Sequence, residues 1–136
     1  ITTFDIIPWW NYPGRVLQQE DFADGRLQQV VADPTNPALA RQHAGVLGQA
    51  DLLFIDAAKD GKMEEVLLDN FSAVGLKEGA WLVFDDIRLM AMISIWRQIS
   101  LAKLDLTSFG HWSGTGLVHW SGASAWSILK GGGGAR

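Results

Sequence analysis

Four charged side chains in the middle of the sequence, Asp56, Lys59, Asp85 and Asp86, stand where they could act together. Carboxylates ligate hard divalent cations and accept hydrogen bonds from hydroxyls, and a lysine among them can carry a proton. They converge only if the intervening chain folds in one way. Asp51 to Asp56 is a continuous apolar run ending in a carboxylate, and Ala80 to Asp85 is a second, followed at once by another acid. Runs apolar on both faces predict buried parallel strands. Between them Met63, Val66, Leu67, Phe71 and Val74 recur at spacings of three and four, one face of a helix packed on the sheet. Ala50 to Arg88 therefore reads as a βαβ crossover. Its strands point the same way, so the four charged residues gather at the carboxyl edge, where open α/β sheets place their ligands.

The flanking chain supplies the rest of an α/β fold. Ile1 to Ile7 has strand composition, with Asp5 near its end and Pro8 closing it. Pro8 to Gly14 reads as a loop, Arg15 to Phe22 as a short helix, and Arg26 to Asp33 as a second strand ending in an acid. A helix is expected from Pro37 to Gly48, capped by Asn36, with Leu39, Ala40, Ala44 and Leu47 inward. After the crossover, Arg88 to Leu101 predicts a buried helix through Met92, Ile95, Trp96 and Ile99. Lys103 to Phe109, the turn Gly110 to Gly116 and Leu117 to Trp120 form an antiparallel hairpin. Residues 1–122 are expected to form the folded domain and 123–136 a disordered glycine-rich tail.

Composition sets outer limits. At 136 residues the chain is one domain, short for a complete doubly wound enzyme, and it begins inside an apolar run without Met, as a partial fold would. No apolar run approaches the about 20 residues of a membrane span, so no membrane partner is expected. A net charge of −4 without a basic patch argues against nucleic acid. Zero Cys excludes thiolate metal sites and thiol nucleophiles, and fits a cytoplasmic location. Of seven Trp, most are expected in the core or in pocket walls. A homo-oligomer is compatible with all of this.

The order of elements, the acids at the strand ends and the closing hairpin resemble the class I S-adenosylmethionine-dependent methyltransferase fold, a Rossmann-like sheet with helices on both faces, entered at the family's second strand. The family's first strand, glycine loop and first helix have no counterpart here. FIDAAKDG at Phe54 to Gly61 is similar to the fourth-strand motif of metal-dependent O-methyltransferases of the catechol and caffeoyl-coenzyme A type, and FDDI at Phe84 to Ile87 to their fifth-strand acid pair. The resemblance implies methyl transfer from S-adenosylmethionine to a small-molecule hydroxyl acceptor, assisted by a divalent metal, magnesium being the expected ion. It implies Asp56, Asp85 and Asp86 as metal ligands and Lys59 as the proton acceptor. Asp5 would take the cofactor's ribose hydroxyls, Asp33 would lie near its adenine, and Asp56 would also border the cofactor. The family's pair is commonly Asp-Asn, so Asp85-Asp86 adds one negative charge. Consecutive strand residues face opposite ways, so both acids reach one ion only if the chain bends at Asp86. Lacking the first strand, the chain alone is expected to bind the cofactor weakly or not at all.

Simpler roles stand beside these. Asp33 and Asp60 suit helix caps, Lys59 suits a solvated loop, and Trp9, Trp10 and Tyr12 suit packing as well as a pocket wall. His111 fits a structural role or a substrate-side acid or base, and Gly110 to Gly116 lacks the lysine and the helix of a phosphate loop. The alternatives in function are another nucleotide-binding Rossmann-like enzyme and a non-catalytic binding or assembly module.

Overall fold

The structure, a computed structural model, describes residues 1–123, and from residue 124 onward the expected glycine-rich tail lies outside the described residues. Among the described residues six strands and four α-helices follow in the order β1 (Thr2–Asp5), β2 (Gln28–Val31), α1 (Pro37–Gln42), α2 (Ala44–Leu47), β3 (Leu52–Ile55), α3 (Lys62–Ala73), β4 (Trp81–Phe84), α4 (Met92–Gln98), β5 (Lys103–Asp105) and β6 (Gly116–His119). The fold is mixed α/β. The strands form two sheets rather than the single sheet expected: a parallel β1–β2 pair, and a four-stranded sheet of order β3-β4-β6-β5. In the latter β3 and β4 run parallel, while β6 is antiparallel to both β4 and β5. The βαβ crossover and the closing hairpin are thus both present.

The core lies under the larger sheet. Leu82, Phe84 and Val118 are fully buried from β4 and β6, with Ile87 and Trp120 just beyond the strands. Leu67, Leu68 and Phe71 close one side from α3, and Met92, Ile95 and Trp96 come from α4. Each such side chain stabilises the fold by about 1.5–3 kcal/mol on burial. Gly116 is required by close packing, since a Cβ there would lie 2.5 Å from the Trp96 ring. Among the described residues, no helix is long and apolar enough to cross a membrane.

Several boundaries differ from expectation, each for a local reason. β3 is not buried on both faces: it pairs only with β4, and Leu52 and Phe54 are 56% and 62% exposed while Ile55 points inward. Val66 is exposed on α3, whose inward face is centred on Glu64, Leu67, Leu68 and Phe71. The Pro37 to Gly48 helix breaks at His43, which leaves helical geometry and meets the Phe4 ring edge-on at 5.5 Å. The Asn36 cap forms as expected, accepting from the amides of Ala38 and Leu39. Arg15 to Phe22 yields only a 3-10 turn at Gln19–Phe22, closed by the Gln18 amide on Asp21 at 2.8 Å, and the expected Pro8 to Gly14 loop holds another at Trp9–Asn11. β5 stops at Asp105 because that carboxylate accepts from the Thr107 amide and hydroxyl, turning the chain into a 3-10 helix. α4 starts only at Met92, after left-handed conformations at Asp86 and Met90.

Candidate functional site

β3 and β4 end side by side and deliver their acids to one edge, with the Asp85 amide donating to Ile55 O at 3.0 Å. The bend required at Asp86 is present. Asp86 takes φ +56°, leaving strand geometry, and its amide donates back to the Asp85 carboxylate at 3.0 Å. The next two amides, of Ile87 and Arg88, then donate to the carbonyls of Gly114 and Ser113, which brings the Gly110 to Gly116 turn over the strand ends.

Lys59 is placed by the start of α3. Glu64 is 1% exposed, and its two carboxylate oxygens accept from the amides of Lys59 and Gly61, both at 2.9 Å. Gly61, at φ +74°, supplies the reversal that no side chain takes cheaply. Asp60 is a helix cap, accepting from the Lys62 and Met63 amides, as its simpler role predicted. The 59–61 turn is therefore fixed by a buried carboxylate whose charge is satisfied by backbone donors. Lys59, only 8% exposed, points Nζ at Asp56, which it contacts directly, and at Asp86 Oδ2, 3.5 Å away.

The hairpin turn supplies the remaining partners. His111 Nε2 lies 3.0 Å from Asp85 Oδ1, and its Nδ1 lies 2.6 Å from Ser113 Oγ. The Ser113 hydroxyl, nearly buried, donates to Asp86 Oδ1. One ligand atom from each of Asp85, Asp86 and His111 falls within a 4.8 Å span. Asp56 belongs to a different pairing. Its side chain is 59% exposed and its carboxylate engages Lys59, so the three oxygen donors the sequence points to are not the three grouped here.

The electrostatics follow from these contacts. Burial disfavours charge on Lys59, but Asp56, Asp86 and Asp85 outweigh it and raise its pKa above the ordinary lysine value. The Ser113 hydroxyl, helped by Lys59 and His111, lowers the Asp86 pKa despite partial burial. In this state Lys59 is a charged ammonium that neutralises acids, not a free base.

Asp5 and Asp33 make their bonds locally. Asp5 Oδ1 accepts from the Ile7 amide at 2.9 Å and Oδ2 from the Tyr12 hydroxyl at 2.6 Å, an interaction that raises the Tyr12 pKa. Each Asp5 oxygen keeps acceptor capacity for a further donor such as a hydroxyl. Asp33 accepts from the Thr35 amide and hydroxyl, making a turn rather than the cap, which Asn36 supplies. Asn70 of α3 donates to the carbonyls of Pro34 and Thr35, tying the end of β2 to the helix behind Lys59.

Two supporting residues escape a reading by residue type. Glu64 supplies only half of a capping box, its carboxylate on the Gly61 amide, and the Ser or Thr that usually heads the pattern is absent. Ser113 carries no sequence signal, because its role exists only once the hairpin turn folds over Asp86. No protein-family model, curated protein or solved structure matches this chain.

Proposed function

We propose that the chain carries the catalytic edge of an S-adenosylmethionine-dependent methyltransferase acting on a small-molecule hydroxyl with the help of a divalent cation. The observation that carries this reading is the convergence of Asp56, Lys59, Asp85, Asp86 and His111 where parallel β3 and β4 end. The order β3-β4-β6-β5, a parallel pair continued by an antiparallel hairpin, supports a Rossmann-like methyltransferase sheet as the finer description of the fold.

The donor set fits a divalent cation. Asp85 and Asp86 offer hard oxygens and His111 a ring nitrogen. Such an ion would polarise an acceptor hydroxyl and relieve the negative field that keeps Lys59 protonated. The chain's own residues do the rest. Asp56 and Asp86 aim Lys59 Nζ across the edge and Ser113 fixes the Asp86 carboxylate; with the surrounding acids neutralised, the Lys59 ammonium would first release its own proton to solvent, and the free amine would then take the hydroxyl proton. At the other end, the free lone pairs of Asp5 suit ribose hydroxyls, with Asp33 nearer the adenine.

One observation favours a second reading, a non-catalytic module. Lys59 already neutralises part of the acid cluster, as in an ion network that merely fastens loops. Calorimetric titration of magnesium, manganese and zinc, each with and without S-adenosylhomocysteine, separates the two. Saturable metal binding lost in Asp85→Asn and Asp86→Asn, together with cofactor binding, supports the transferase. Cofactor binding indifferent to metal removes the metal-assisted mechanism. Absence of both leaves the module.

A further inference from the structure

A second site lies away from the acid cluster, on the outer face of the small sheet. Thr3 and Gln29 are register partners in β1 and β2 and share one face, while Phe4 turns the other way to the core. The excursion between the strands, residues 6–27, folds back over the Thr3 and Gln29 face and forms a half-open cavity of about 250 Å³. One wall is aromatic, with Trp9 stacked on Phe22 at 5.0 Å and 19° between rings. Leu17 and Leu27 add aliphatic surface, so the lining is almost wholly apolar.

Several of its polar side chains are already engaged. Gln29 uses both ends of its amide, accepting from the Trp9 amide at 2.8 Å and donating to Ile7 O at 3.1 Å. The Tyr12 hydroxyl is committed to Asp5, and the Thr3 hydroxyl donates to Gln28 O. Arg15 also lines the cavity, and no carboxylate among the described residues pairs with its guanidinium. An unpaired guanidinium beside an apolar, aromatic-walled cavity is complementary to an apolar ring carrying a carboxylate. Ring and wall exclude water together, and the planar fork meets the two oxygens.

We propose that this cavity binds a small aromatic carboxylate, its ring against Trp9 and Phe22 and its carboxylate on Arg15. No cavity-lining residue belongs to the acid cluster, and although Tyr12 donates to Asp5 beside it, the proposal uses neither Asp5 nor the methyltransferase reading.

The test titrates naphthalene-2-carboxylate and its neutral counterpart naphthalene-2-carboxamide into the whole chain by calorimetry. The wild type is expected to bind the acid saturably and at least about tenfold more tightly than the amide, the margin of a charge-assisted hydrogen bond. Arg15→Gln, at an exposed position, is expected to erase that margin while leaving amide binding unchanged. Leu27→Trp, which fills the cavity, is expected to abolish both. Equal affinity for acid and amide overturns the proposal, as does acid binding that survives the filled cavity. Absence of saturable binding, the result if another stretch of protein covers this face, also overturns it.

Discussion

In the four-stranded sheet Leu82, Phe84 and Val118 are closed to solvent on a bed of α3 and α4 side chains, whereas no residue of β1 or β2 is fully buried. Both sheets contain parallel pairs of four-residue strands, but β1 and β2 carry three apolar residues where β3 and β4 carry eight. The difference is in how much each pair has to bury and in what covers it. A two-stranded sheet has little face to bury and needs outside support. Here that support includes Phe4 on the core margin, edge-on to His43, and the Asn70 side chain gripping the loop after β2. The larger sheet is the folding unit, and the smaller one is its dependent.

Four measurements break or sharpen this contrast. Trp120→Ala removes the largest fully buried side chain and its hydrogen bond to Leu76 O, and should cost about 3–5 kcal/mol in a urea melt. A loss below about 1 kcal/mol would show that the large sheet is not the stable unit. Asn70→Ala should cost about 1–3 kcal/mol. Its signature in hydrogen exchange should be faster exchange of β1 and β2 amides with little change in β4 and β6; equal acceleration everywhere would mean the two sheets open together. Phe4→Leu keeps an apolar contact while losing the edge contact with His43, and should cost about 1 kcal/mol, again felt mainly in the small sheet.

The smallest effect is a pH dependence confined to the far edge of the large sheet. Hydrogen bonds from Thr107, with Arg88 alongside, hold the Asp105 carboxyl at about 2. An unfolded Asp titrates near ~3.9. The stabilisation is therefore present above about pH 4 and is lost as pH falls through about 2. Asp105→Asn should flatten the stability slope in that window, read from melts at stepped pH, and leave β1–β2 exchange untouched. An unchanged slope would show that the Thr107 and Arg88 contacts do not persist in solution.

Legibility from sequence followed the same division. The crossover, the buried face of α4 and the hairpin were readable because periodicity reports burial, and α3, β4, α4 and β6 each bury one face or more, although β3 and β5 are half exposed. Asp56, Lys59, Asp85 and Asp86 were readable as a group because parallel strands must end together. Partner choice within that group was not. Whether Asp56 faces Lys59 or joins Asp85 depends on the conformations of Lys59 and Asp86, set by the local contact to Glu64 and by long-range contacts to Ala91 and Ser113. The separation of β1–β2 from the main sheet was equally hidden, since a strand's pattern tells which faces it buries and not which neighbour it finds.

Lys59, Asp86 and Met90 are the described non-glycine residues held at positive φ, at 63°, 56° and 49°. Such a conformation costs an L-residue about 1–2 kcal/mol that glycine does not lose. At Met90, 70% exposed, replacement by glycine sacrifices only a solvent-facing side chain, but at Lys59 and Asp86 it sacrifices the groups that face each other across the site. Heat resistance and chemistry thus pull in the same direction at one of these positions and in opposite directions at the other two. A variant library ranked by melting temperature alone would reward Lys59→Gly and Asp86→Gly wherever the relief outweighs the lost ion pair, and would dismantle the site while improving the fold.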